Sequence, residues 1–182
     1  MMLQNIKNKL DVVAVLLVII SVGLIQSSTV LGGDQSLFVV IAQLLDSGKT
    51  LYKDLFDYKQ PGIFLFYLLA GKTFGWSDIG IHLFELGYWI LFSLILFSCI
   101  RNCSLFRADY FNSLLPLFII GAYYGNATTF HLTQLEALIN FPLFLIVWLL
   151  DRAYKTESEL FVTYLVIGVL IGIVLLSKLD RK

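Results

Sequence analysis

The chain has 182 residues, of which 58% are hydrophobic and 14% charged, and its formal net charge is zero. Mean hydropathy is +0.83, and a soluble domain of this length has no core large enough to hide so much apolar surface, so the surrounding solvent is lipid. The balanced charge and a pI near 6.7 give no electrostatic footprint for nucleic acid, which is not expected as a partner.

In chain order, Lys7 and Lys9 precede an apolar run over residues 12–25 that continues to Leu31. The run is longer than the apolar region of a secretory signal and no A-x-A-like cleavage site follows it. It reads as a retained anchor with its lysines on the cytoplasmic side. A spanning helix needs about 20 mostly apolar residues, so residues 12–31 form the first expected span.

The stretch 32–62 then gathers Asp34, Asp46, Lys49, Lys53, Asp54, Asp57 and Lys59 between two hydrophobic runs. Within it, residues 37–45 are too short to cross. Leu37, Phe38, Ile41, Leu44 and Leu45 recur at helical spacing, opposite Ser36, Gln43 and Asp46, as expected of a helix lying in the membrane interface. Pro61 suits the first turn of another short helix over residues 63–70. Gly71, Lys72 and Gly75 interrupt it, and it too is expected to be interfacial or re-entrant. Of the loop charges, Asp46, Lys49, Lys53, Asp54 and Asp57 are expected on its solvated face.

Residues 79–100, 110–127, 135–150 and 160–176 supply four more spans. The fold expected is therefore all-α: a polytopic membrane protein with about five transmembrane helices and two short interfacial helices in its first extracytoplasmic loop. With that count Lys7/Lys9, Arg101/Arg107 and Arg152/Lys155 all fall inside, as the positive-inside rule requires. Lys178, Arg181 and Lys182 then fall outside. Either they meet an anionic ligand, or the count is six rather than five. Cys99 and Cys103 read as reduced packing residues, since no further thiol or His cluster completes a metal set. The aromatic residues Tyr52, Phe56, Tyr58, Trp76, Tyr88, Trp89, Tyr123 and Tyr124 read as interfacial belts.

The order of the polar motifs resembles a family. It runs Asp34-Gln35, Gly48-Lys49-Thr50-Leu51-Tyr52-Lys53-Asp54, Tyr58-Lys59-Gln60-Pro61-Gly62, Phe74-Gly75-Trp76-Ser77, Gln134-Leu135-Glu136-Ala137-Leu138, and a glycine-bearing apolar helix ending in Ser177-Lys178. In order and spacing this is similar to the GT-C membrane glycosyltransferases, in the branch of the dolichyl-phosphate-mannose protein mannosyltransferases and aminoarabinose transferases. Two positions depart from the family's pattern. Gln35 stands where the family often has a second acid, and Gln60 where it often has proline. The missing second acid argues against a metal held by an acid pair, although a divalent cation stays possible as a cofactor.

The resemblance implies transfer of a sugar from a polyprenyl-phosphate donor to an extracytoplasmic protein, lipid or glycan acceptor, with inversion. It implies a plasma-membrane protein with a cytoplasmic N-terminus, its residues 1–182 forming one transmembrane domain that is the amino-terminal portion of a longer chain. That portion is expected to have weak or no activity alone. The residues admit the same chemistry. A carboxylate at the membrane surface can take the acceptor's proton, and Asp34 sits where the first span emerges; its other reading is a helix N-cap. The leaving lipid phosphate needs a cation, which Lys59 can supply beside the amides of the helix at Pro61; its other reading is a snorkelling lysine. Lys178 is a second cation candidate. By the resemblance Glu136 corresponds to the second acidic position and orients acceptor or sugar; its other reading is a solvated helix end. His131 lies beside it. His82 and Glu85, three residues apart on one helix face, either pair with each other or line the site. The reading from a different class is a multipass transporter or lipid-handling protein whose membrane charges bind without chemistry.

Overall fold

The computed structural model of the chain describes residues 2–102, 109–126, 132–155 and 160–178. The described residues form eight helices: α1 (Met2–Gln26), α2 (Asp34–Asp46), α3 (Pro61–Phe74), α4 (Asp78–Asn102), α5 (Asp109–Asn126), α6 (Leu135–Leu138), α7 (Asn140–Lys155) and α8 (Leu160–Lys178). Extended pairing among them is limited to one isolated bridge, Leu51 with Leu55. The protein is thus all-helical. Two stretches, Asp78–Cys99 and Leu135–Lys155, are long and apolar enough to cross a membrane. Leu10–Gln26, Pro61–Phe74, Leu114–Asn126 and Phe161–Ser177 are shorter apolar helices.

Three boundaries differ from those expected. The first helix starts in the lysine-bearing segment and stops at Gln26 instead of reaching Leu31. Ser27, Ser28 and Thr29 follow, each hydroxyl donating to the carbonyl three residues back at 2.7 Å. Such local side-chain bonds satisfy the last carbonyls of a helix and compete with its continuation. The helix that begins at Pro61 does not break at Gly71; it runs to Phe74, because Gly71 is buried and Lys72 is held by Asp46 at 2.7 Å. The stretch expected as one span over residues 135–150 is a single turn, α6, followed by α7. Pro142 has no N–H to offer the carbonyl of Leu138. Ile139 therefore sits as a turn between them, although Leu143 N–H still reaches the Ile139 carbonyl at 3.1 Å.

The chain divides into two compact units, Met1–Gly32 with Thr73–Leu132, and Gly33–Lys72 with Thr133–Lys182. In the first, α1, α4 and α5 pack pairwise around Val15, Ile19, Leu86, Trp89, Phe92 and Ile120. In the second, α7 packs on α8, and α2 lies beside α3. Ion pairs join α2 to the α3 segment at both ends, Asp34 with Lys59 and Asp46 with Lys72, so the two helices run in the same direction. Between the ends, the Phe38 ring meets Phe64 and Tyr67 edge-on at 5.7 and 5.4 Å. The buried face of α2 is Gln35, Phe38, Val39, Ile41 and Ala42, while Leu37 is exposed. The apolar stripe is thus rotated from the one the spacing of leucines suggested.

Candidate functional site

The site is built by the loop that joins α2 to α3. Its start is fixed by the end of α2. Gly48 takes φ 91°, the left-handed conformation that costs glycine nothing. The N–H groups of Gly48 and Lys49 then return to the carbonyls of Leu45 and Leu44 at 3.0 Å each, a Schellman termination. The chain next folds into a tight loop in which Thr50 N–H donates to Asp54 Oδ2 at 2.8 Å. Tyr52 sits at φ 67°, an uncommon conformation for a bulky residue. Its N–H donates to the Leu55 carbonyl at 2.7 Å and its hydroxyl to the Lys59 carbonyl at 2.6 Å.

The far end of the loop is held as firmly. Asp57 is buried, at 8% exposure, and its Oδ1 accepts the Lys59 N–H at 2.8 Å. Aspartate bonding a backbone N–H two residues on is the Asx-turn arrangement. Lys59 is therefore gripped at its N–H by Asp57 and at its carbonyl by Tyr52. Its side chain turns back to the start of α2, where Nζ lies 2.5 Å from Asp34 Oδ2. The ammonium also stands 4.3 Å from the Phe38 ring centre and 5.7 Å from that of Tyr58, within cation–π range.

The two partners are unequal. The Lys59 side chain is 19% exposed and that of Asp34 56%. Asp34 does not cap α2; Gly33 holds the cap position, with no side-chain cap bond. Asp34 is the first helical residue, where the helix dipole favours an anion, and its carboxylate remains open to solvent. Gln35, next to it, is fully buried. An ionised carboxylate at that position would be stripped of water, which is costly, and a neutral amide is not. Asp34 thus has an ammonium for its near neighbour and no second acid. That donor set does not suit a divalent cation, and among the described residues no three His, Cys, Asp or Glu side chains converge to hold one.

The second unit also holds two other residues named from the sequence. Glu136 lies in the single turn α6 and is exposed. Lys178 is the last residue of α8, one position past Ser177. Ser177 Oγ and the Leu176 carbonyl crowd Gly62 so closely that a Cβ there would lie 2.4 and 2.9 Å from them. Glycine at position 62 thus lets the end of α8 reach the first turn of α3, three residues from Lys59. The Lys178 side chain, His131, Arg107 and Cys103 fall outside the described residues.

His82 and Glu85 belong to the other unit. They are 2% and 1% exposed and face each other, His82 Nδ1 lying 3.4 Å from Glu85 Oε2. Glu85 Oε1 accepts from Trp89 Nε1 at 3.4 Å and from the Tyr123 hydroxyl. His82 Nε2 lies 3.3 Å from Thr29 Oγ1. Of the two readings open for this pair, the structure has them bonded to each other inside the α1, α4 and α5 unit. Trp89 and Tyr124, expected in an aromatic belt, are buried in the same unit, so they are core residues. Tyr52, Phe56 and Tyr58 are exposed.

Two of the residues that form the site were missed by sequence reasoning. Asp57 was assigned to the solvated face of the loop, yet it is buried and turns the chain into Lys59. The signal available was the Asp-x-Lys spacing of an Asx turn. Tyr52, read as belt, anchors the Lys59 carbonyl, and nothing in its local sequence announces that. Asp46 and Asp54 are also engaged, with Lys72 and the Thr50 N–H.

Compared with known proteins, the chain matches no family model, no curated protein and no solved structure.

Proposed function

We propose that the chain is a membrane glycosyltransferase that moves a sugar from a polyprenyl-phosphate donor to an extracytoplasmic hydroxyl acceptor. The observation that carries this reading is the Asp34–Lys59 pair, a carboxylate and an ammonium brought together from positions 25 residues apart. Asp34 is the general base. As the acceptor oxygen bonds to the anomeric carbon, its proton passes to the open carboxylate oxygen. The bond from the anomeric carbon to the phosphate oxygen breaks on the opposite face, which inverts the sugar. Its electron pair stays on the lipid phosphate, whose growing charge Lys59 neutralises. Glu136 orients acceptor or sugar, and Lys178 is the second cation for the phosphate.

In this reading the protein is a multipass protein of the plasma membrane. α1, α4, α5, α6 with α7, and α8 make five crossings, and the site lies on the extracytoplasmic face. α2 and α3, with 13 and 14 residues, are about 20 Å long at 1.5 Å per residue, well short of a hydrocarbon core of about 30 Å. They lie in the interface.

The test is transfer of a radiolabelled sugar from a polyprenyl-phosphate donor by membranes holding the wild-type chain or Asp34→Asn. The expected result is a loss of about 100-fold or more, the usual contribution of a positioned base, with donor binding retained. Unchanged transfer would remove Asp34 from the mechanism.

A further inference from the structure

Asp34 and Lys59 neutralise each other, and that arrangement suits neither role in transfer. A base needs a free lone pair, and a phosphate clamp needs a free ammonium. We infer that the pair is a lock: the donor's phosphate takes Lys59 away from Asp34 and so releases the base only when donor is present. This inference rests on the phosphate reading of Lys59 given above and adds the regulation of that site.

The geometry decides which partner yields. Lys59 is fixed by the Asp57 carboxylate on its N–H, by Tyr52 on its carbonyl, and by the Phe38 ring 4.3 Å from Nζ. Moving it would uncover a largely buried side chain and strip the ring contact. Asp34 is tied only at one end of an exposed helix turn, with more than half of its side chain in solvent. Ion pairs with one partner so exposed contribute little to stability and exchange readily. An arriving phosphate oxygen is a competing anion with more acceptor atoms, so Asp34 is the group displaced and Lys59 the group that stays.

The charges give the exchange a direction through a reaction cycle. The donor is a phosphodiester with one negative charge. The product lipid phosphate is a monoester with a charge of about −1.5 to −2 near neutral pH. Lys59 therefore holds the phosphate more tightly as the sugar leaves. Asp34, having accepted the acceptor's proton, is neutral and cannot compete until it gives that proton to water. Once the product lipid phosphate has left, Asp34, ionised again, recaptures Lys59. Donor binding must precede useful deprotonation of the acceptor, and recapture resets the site.

The experiment follows the Asp34 carboxylate directly in the full chain, reconstituted in phosphatidylcholine nanodiscs. Its rate of carbodiimide labelling is read by peptide mass spectrometry, with the exposed Glu136 as internal reference. Undecaprenyl phosphate, added as the probe, is expected to raise Asp34 labelling several-fold relative to Glu136. Inorganic phosphate at the same concentration is expected to leave it unchanged. Lys59→Gln is expected to label fast with or without the lipid, and Lys59→Arg to retain the lipid response. Binding of undecaprenyl phosphate, seen by its quenching of tryptophan fluorescence, with no change at Asp34 would overturn the lock and leave the phosphate reading standing. Absence of binding would overturn both. An equal response to inorganic phosphate would overturn the assignment to a lipid-borne ligand.

Discussion

Two of the acid–base pairs among the described residues are built in opposite ways. Glu85 and His82 are almost fully buried among α1, α4 and α5, with Trp89, Tyr123 and Thr29 supplying further polar contacts. Asp34 and Lys59 belong to the other unit, with one partner gripped and the other exposed. A sealed pair has nothing to exchange with, so its value lies in tying α4 to α5 through Tyr123 and to the turn after α1 through Thr29. A pair with one free member can trade partners. Charge among apolar helices is thus a poor guide to chemistry until access is known, and access separates these two pairs.

The comparison is most easily broken at Glu85. Removing one member of a buried pair leaves the other uncompensated, at a cost of about 3–5 kcal/mol. Glu85→Ala is therefore expected to unfold the α1, α4 and α5 unit, measured as a large fall in thermal midpoint in detergent. Glu85→Gln keeps an acceptor for Tyr123 and Trp89 and is expected to lose much less. A Glu85→Ala protein as stable as wild type would show that the sealed pair does not hold the unit.

Next in size is Gly62, where Ser177 and the Leu176 carbonyl leave no space for a side chain. Gly62→Val is expected to cost about 1–3 kcal/mol, as overpacking does elsewhere, and to push the end of α8 from the first turn of α3. A fall in thermal midpoint in detergent, larger for Gly62→Val than for Gly62→Ala, reads that clash. Asp57→Ala follows, with a loss of about 1–2 kcal/mol from the hydrogen bond that a buried carboxylate makes to the Lys59 N–H. It is also expected to weaken undecaprenyl-phosphate binding, because Lys59 is no longer fixed. Unchanged binding would mean that the Asx turn does not position the lysine.

The smallest effect on stability is expected where the effect on function is largest. Lys59→Gln breaks a half-exposed ion pair, worth about 0–1 kcal/mol, and should leave the thermal midpoint within a few degrees of wild type. The same change should abolish lipid-phosphate binding. A large loss of stability would reclassify the pair as structural, like Glu85 and His82.

Much of this contrast was legible in the sequence. Apolar content and the spacing of hydrophobic runs gave an all-helical chain, and two of the long stretches are long and apolar enough to cross a membrane. The loop between residues 32 and 62 was marked by its charges, and folding back of that loop was the one way for Asp34 and Lys59 to meet. The rest was hidden for physical reasons. Nothing in a local pattern tells an exposed aspartate from one turned inward, so Asp57 was misplaced. The core position of Trp89 depends on packing by α1 and α5, distant in sequence. The break at Ile139 had a local cause in Pro142, but it costs too little hydropathy to interrupt an apolar run. Gln35, a departure from the resembled family, makes sense only once its burial is known.

The most direct measurement is a charge swap, Asp34→Lys combined with Lys59→Asp, assayed for sugar transfer and for thermal stability together. An ion pair that serves only the fold tolerates either orientation at a modest cost in stability. A base and a phosphate clamp do not, because the fixed position beside Phe38 would then hold an anion and the open position a cation. The expected result is a folded protein, modestly less stable than wild type because a cation then stands at the start of α2 and an anion beside Phe38, with transfer lost. Transfer at the wild-type rate by the swapped protein would contradict the roles given to Asp34 and Lys59.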